Sequence, residues 1–221
     1  MQGQTASDRL SDVREGIARA EALSGRPAGG TVLIAVSKTH DATAIRPLIA
    51  AGQRVFGENR VQEAQAKWPM LKEAHPDVEL HCVGQLQSNK AADAVALFDA
   101  IHSVDRSSLV HALAKAMDRQ DRRLPCFLQL DLAGEPQKGG CAVADLPRLL
   151  AEARAADLLI AGLMCVPPAD VEPAPWFALL DKLADHHGLV GRSMGMSGDY
   201  ATAVTLGATH VRVGTALFGT R

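Results

Sequence analysis

Lys38 closes the apolar run Thr31-Val-Leu-Ile-Ala-Val-Ser-Lys38. The stretch from Val32 to Val36 is uninterrupted aliphatic sequence, the pattern of a strand buried on both faces of a parallel sheet. Such sheets bind ligands at the carboxyl ends of their strands. An ammonium drawn partly out of water loses proton affinity, and a neutral lysine amine attacks aldehydes to form a Schiff base. The competing reading is a solvated lysine just past a strand, and this segment alone does not choose between them. Near the other end lie Ser193-Met-Gly-Met196-Ser197-Gly198-Asp199 and His210-Val-Arg212-Val-Gly214-Thr215. Each reads as a short strand, a turn of small residues and the start of a helix. Glycine lets the backbone approach an anion, Ser197 and Thr215 add hydroxyl donors, and the amides at a helix start favour phosphate. One such turn is commonly no more than a helix cap. Two of them, ending the last two strand–helix units, are more specific, because phosphate sites of (β/α)8 barrels form there.

Other polar groups follow apolar segments. Asn59, in Phe56-Gly-Glu-Asn59-Arg-Val-Gln-Glu, offers a donor and an acceptor; a helix cap and a ligand contact are both open to it. The segment Gly84-Gln-Leu-Gln-Ser-Asn-Lys90 is polar after an apolar strand, with Ser88 suited to capping the next helix. The stretch Glu135-Pro-Gln-Lys138-Gly-Gly140 reads as a loop, either a solvated charge pair or a basic lid whose lysine assists ligand exchange. Met164, Met194 and Met196 suit apolar packing, against the barrel or a ligand ring. The four cysteines contain no CxxC pair and fit reduced packing residues. Adjacent His186 and His187 would point in different directions on a helix and make a poor metal pair.

The elements that must position these groups alternate. Strands are expected near Thr31–Ser37, Arg54–Phe56, Val78–Val83, Ala100–His102, Cys126–Asp131, Leu158–Leu163, Arg192–Met194 and His210–Val213, with helices between them. Leu109, Leu113, Ala116 and Met117 repeat at helical spacing. Asp41 is placed to cap one helix, Gly52 to end it, and Pro147 to sit in the first turn of another. An additional helix at about residues 7–24 precedes the barrel, which is placed at about residues 31–221 of a single domain. Eight strand–helix repeats favour an α/β fold of the (β/α)8 TIM-barrel type, and a doubly wound open sheet is the alternative. At 221 residues and a net charge of −2, nothing suggests general attraction to nucleic acid or anionic membrane. No apolar run reaches membrane-span length, and the polar N-terminus is unlike a signal peptide, so the expected compartment is the cytoplasm.

Together, the motifs around Lys38, Asn59, Gly84–Lys90, Lys138, Gly162-Leu-Met164, Ser193–Asp199 and Val211–Gly219 resemble the pyridoxal phosphate homeostasis proteins, the YggS/PROSC family. The departures are small: Cys82 replaces a bulkier apolar residue and Asp41 a common proline. The resemblance implies a TIM barrel like the alanine racemase N-terminal domain, with pyridoxal 5′-phosphate (PLP) bound covalently through Lys38. It places Asn59, Met196, Ser197, Gly198, Gly214 and Thr215 around the cofactor and Arg212 at its pyridine nitrogen. Arginine does not give up its proton, so it should leave that nitrogen unprotonated and the ring a weaker electron sink. Racemisation also needs an acid–base group opposite the lysine. In racemases a further domain and a partner subunit provide it, and the sequence stops seven residues after Gly214. The expected role is therefore PLP buffering or delivery to PLP-requiring apoenzymes, without efficient turnover. A minimal PLP-dependent racemase or lyase is the alternative, and a PLP-independent lysine aldolase or lyase a third class.

Overall fold

The computed structural model of the protein describes residues 4–135 and 139–219. Helix α1 (Ala6–Leu23) begins at a reciprocal cap: the Thr5 hydroxyl accepts from the Asp8 amide at 3.1 Å, and the Asp8 carboxylate accepts from the Thr5 amide at 2.9 Å. Its buried stripe includes Leu10, Val13, Ile17 and Ala20, at the three- and four-residue steps of one helix face.

The strands are β1 (Val32–Val36), β2 (Val55–Glu58), β3 (Glu79–Cys82), β4 (Ala100–Val104), β5 (Cys126–Asp131), β6 (Cys141–Ala142), β7 (Ile160–Cys165), β8 (Gly191–Ser193) and β9 (His210–Val213). Between them run α2 (Ala42–Ala50), α3 (Val61–Ala74), α4 (Ala91–Leu97), α5 (Ser107–Gln120), α6 (Leu146–Ala155), α7 (Ala174–His186), α8 (Tyr200–Thr205) and the short α9 (Thr215–Phe218). All pairings are parallel, in the order β4-β3-β2-β1-β9-β8-β7-β5, and β4 also pairs with β5. That last pairing closes the sheet. The fold is an eight-stranded TIM barrel, and the open-sheet alternative is excluded because it would leave β4 and β5 as edges.

All eight expected strands are present, with shifted ends. β2 extends to Glu58, which pairs with Cys82 of β3, and β4 to Val104, which pairs with Leu128 of β5. β7 starts two residues late, after Asp157 turns through the left-handed region (φ 56°). The two-residue β6 pairs with Leu130 and Asp131 and was not expected; so short a segment has no periodicity to read. Asp41 caps α2 through the Ala44 amide at 3.0 Å, Gly52 (φ 91°) follows that helix, and Pro147 lies in the first turn of α6. All four cysteines are free and buried, and burial pushes each thiol up to about 12.

Candidate functional site

A cavity of about 640 Å³ opens at the carboxyl ends of the strands. It is lined by Lys38, Asn59, Met196, Ser197, Gly198, Arg212, Gly214 and Thr215, which are all the residues the sequence nominated as a site, together with Val36, His40, Val83, Val166 and Gly219. Lys138, the proposed lid residue, lies outside the described residues.

Lys38 follows β1 directly. It is exposed at the cavity rather than withdrawn from water as expected, because the cavity is open above it. What fixes it is its backbone. Thr39 has φ 65°, the left-handed region that a β-branched residue adopts only under constraint. The constraint comes from below. Lys67 of α3 donates to the carbonyls of Ser37 at 2.9 Å and His40 at 2.7 Å, bracketing Lys38, and Glu63 accepts from the Thr39 amide. Lys67 also pairs with Glu58 at 2.9 Å and with Glu63 at 3.0 Å. Glu58 is fully buried at the end of β2; its Oε1 accepts from Ser37 Oγ at 2.5 Å and Trp68 Nε1 at 3.1 Å. Its Oε2 is buried without a hydrogen-bond partner among the described residues. The sequence reading missed this clamp. The available signals were an acidic residue ending an apolar strand and the Glu63/Lys67 pair at helical spacing.

Asn59 stands after β2, where Gly84 lets the next loop pass close: a Cβ on Gly84 would lie 2.4 Å from the Asn59 carbonyl oxygen. The Asn59 side chain is not a helix cap. α3 is led by Arg60, and the Asn59 amide faces the cavity with no hydrogen bond to the described residues.

Arg212 comes from β9 and is 5% exposed. Its guanidinium donates to Ser193 Oγ at 2.7 Å and to the Cys165 carbonyl at 2.9 Å, and among the described residues it has no carboxylate in ion-pair contact. Burial lowers its pKa from the ordinary value, but an arginine remains a cation there. A buried cation without a counter-ion, bordering a cavity, is poised for an electron-rich ligand atom.

The two small-residue turns meet as the sequence suggested, with one difference. Ser197 Oγ accepts from the amides of Gly214 at 3.1 Å and Ala216 at 3.4 Å, so this hydroxyl ties the turns together and takes up two of the amides expected to be free. Its own proton remains available to donate. Gly198 faces open space, since an added Cβ would meet nothing within 4 Å. Met196 is 39% exposed on the cavity wall, whereas Met164 and Met194 are core. His40 stacks on Phe218 with ring centroids 4.4 Å apart.

The second feature the sequence reading missed is a set of histidines inside the barrel. His81, His102 and His210 occupy inward positions of β3, β4 and β9, and His102 stacks on Phe127 at 4.2 Å. Burial holds His102 well below the usual imidazole range, and holds His210 at about 4. One histidine within each of three apolar strands was the signal available. The pair His186–His187 sits at the end of α7, away from the barrel interior.

The sequence matches the family described as alanine racemase, N-terminal domain, over residues 9–221. A pyridoxal phosphate homeostasis protein of Pseudomonas aeruginosa is 39% identical, over 98% of this chain and 96% of its own. One from Deinococcus radiodurans is 42% identical over 93% and 97%. The chain belongs to the pyridoxal phosphate homeostasis protein family. Among solved structures, PipY of Synechococcus elongatus with PLP bound is 42% identical, with a TM-score of 0.80 over 92% of this chain and all of PipY. Alanine racemase of Streptomyces coelicolor is 24% identical with a TM-score of 0.69, and the match covers 59% of it; the likeness is one of fold.

Proposed function

We propose that the cavity binds pyridoxal 5′-phosphate and that the protein serves PLP homeostasis in the cytoplasm, holding the cofactor reversibly for PLP-requiring apoenzymes. The observation that carries this reading is the convergence on one cavity of an exposed amine, Lys38, and a buried cation, Arg212, with no carboxylate in ion-pair contact among the described residues, beside the Ser197-Gly198 and Gly214-Thr215 turns. The residues fit the cofactor. Bound PLP supplies an aldehyde that joins reversibly to a primary amine. Lys38 is the amine, held by the Lys67–Glu58 clamp. Arg212 would stand at the pyridine nitrogen as a donor that gives up no proton. The Thr215 and Ser197 hydroxyls and the remaining turn amides would hold the phosphate. Asn59, whose side-chain amide has no hydrogen bond among the described residues, and Met196 line the cavity and would flank the ring. PLP-bound PipY, similar along most of this chain, supports the same ligand.

A carrier with little turnover is favoured over a racemase for a reason in the lining. Its titratable side chains among the described residues are Lys38, His40 and Arg212; His40 is two residues from the lysine and stacked on Phe218, and Arg212 serves as a fixed donor. The relatives' name, homeostasis protein, points the same way.

The test is to load purified protein with PLP, reduce it with borohydride and locate the adduct by mass spectrometry. Lys38 is the expected site, lost in Lys38→Ala, and an adduct mainly on another lysine would overturn the assignment. The loaded protein should also reactivate a PLP-requiring apoenzyme while exchanging no amino-acid α-proton at rates in the enzyme range of about 1–1,000 per second. Sustained α-proton exchange that depends on Lys38 would favour the racemase alternative instead.

A further inference from the structure

A hydrogen-bonded series runs through the barrel from Arg212 to His81, whose far ring nitrogen has the Glu79 carboxylate within reach. Arg212 donates to Ser193 Oγ at 2.7 Å. Ser193 Oγ lies 2.8 Å from His102 Nδ1, His102 Nε2 lies 3.0 Å from His81 Nδ1, and His81 Nε2 lies 3.5 Å from Glu79 Oε2. Four strands contribute: β9, β8, β4 and β3. Ser193 and His102 are fully buried, His81 is 5% exposed, and the Glu79 side chain is largely exposed.

The two ends fix the direction of every bond between them. A guanidinium has donors and no acceptor, whereas a carboxylate has acceptors and no donor. Ser193 Oγ accepts from Arg212, so its own proton goes to the neighbour in reach, His102 Nδ1. His102 then carries its proton on Nε2 and donates to His81 Nδ1. His81 in turn carries its proton on Nε2 and directs it at Glu79. The tautomers follow from the bonding pattern. Burial keeps His102 neutral, as that assignment requires.

We propose that Ser193, His102 and His81 are positioning residues that orient the Arg212 guanidinium towards the cofactor's pyridine edge through this one-directional series. The proposal rests on the PLP reading for its target, but not for its geometry. Ser193 could satisfy Arg212 alone only if its hydroxyl proton had another acceptor. Burial leaves it His102, and His102 in turn needs an acceptor for Nε2–H. Stacking on Phe127 holds the His102 ring in that plane.

The test has a cofactor-free arm and a loaded arm. In PLP-free protein, nitrogen NMR of labelled histidine should show His102 and His81 as neutral Nε2–H tautomers at neutral pH, with the Arg212 guanidinium slowed in rotation. An Nδ1–H tautomer at His102, or a freely rotating Arg212, would overturn the proposal whether or not PLP binds. In the loaded arm, His102→Asn and His102→Leu have similar size, but only asparagine offers an acceptor to the Ser193 hydroxyl. The asparagine variant should keep PLP affinity within about threefold of wild type, and the leucine variant should lose about tenfold and shift the visible band of the bound cofactor. In a Ser193→Ala background that difference should vanish. Equal affinity and equal spectra for the two variants with Ser193 present would refute a positioning role. Should the leucine variant fail to fold, Ser193→Ala alone carries the same expectation of a shifted band and faster Arg212 rotation. Wild-type protein that binds no PLP yet shows the expected tautomers would break the functional reading and leave the series intact.

Discussion

Replacing Lys67 by methionine tests the clamp that holds the Lys38 turn. Lys67 is 10% exposed, and Glu58, its partner at 2.9 Å, is fully buried. Removing one member of a buried ion pair costs about 3–5 kcal/mol, because the other charge stays behind without compensation. Here Glu58 retains Ser37 Oγ and Trp68 Nε1 as donors, which softens the loss. Its Oε2 has no hydrogen-bond partner among the described residues, so little else there can take up the charge. The Ser37 and His40 carbonyls also lose a charged donor that methionine does not replace. The lower end, about 3 kcal/mol, is the expected cost, a large share of the 5–15 kcal/mol that stabilises an ordinary domain. With a urea dependence of about 2 kcal/mol per molar, the unfolding midpoint should fall by about 1.5 M. The double variant Lys67→Met, Glu58→Gln removes both charges and should recover at least half of that loss. Lys38→Ala, which touches none of these groups, should unfold near wild type. PLP affinity should drop in Lys67→Met even at temperatures where it is fully folded, since the strained Thr39 turn beside Lys38 loses its constraint. A midpoint shift below about 0.5 M, or a double variant as unstable as the single one, would refute the clamp.

Two further outcomes follow from the same chemistry. His102 and His210 have folded-state pKa values below the ordinary imidazole value, so the unfolded chain binds more protons as pH falls beneath about 6.5. Stability should therefore be full above that pH and decline towards pH 4 by about 1.4 kcal/mol per unit for each histidine, with a shallower slope in His210→Leu; urea midpoints measured across that range check it. Charged hydrogen bonds contribute roughly 1.5–3 kcal/mol each, so pyridoxal lacking the phosphate should bind at least about tenfold more weakly than PLP in a spectroscopic titration, and Ser197→Ala, Thr215→Ala should narrow that gap; equal affinities would remove the phosphate from the site.

Much of this architecture was legible because the barrel writes two periods into the chain. Buried parallel strands such as Val32–Val36 are solid aliphatic runs, and α5 repeats its apolar residues at helical steps. Those signals give element type and order, and the short loops between them leave few folds to consider. The cavity was legible for a related reason. In a barrel the residues just after each strand share one rim, so Lys38, Asn59, Ser197 and Gly214 converge from separate turns once the order of the strands is known.

What stayed hidden was the layer beneath the rim, where a residue's role depends on partners far away in sequence. Glu58 reads locally as part of a polar motif; only folding sets it against Lys67 and buries it. His102 reads as one polar residue within an apolar strand, and its part emerges when β3, β8 and β9 bring His81, Ser193 and Arg212 within hydrogen-bonding reach. Ser197 shows the same limit inside a correctly nominated site. Its type suggested a donor to phosphate, while the fold first spends its oxygen on the amides of Gly214 and Ala216. Residue type constrains which atoms can donate or accept, and tertiary pairing decides which do. Lys38 and Arg212 are each held by a buried polar group whose own remaining bonds are fixed further down, the first through Lys67 to Glu58 and the second through Ser193 to His102. Changes in that lower layer should thus appear first as altered cofactor binding and only afterwards as loss of the barrel, because the closed sheet continues to bury its aliphatic core whichever way those polar groups point.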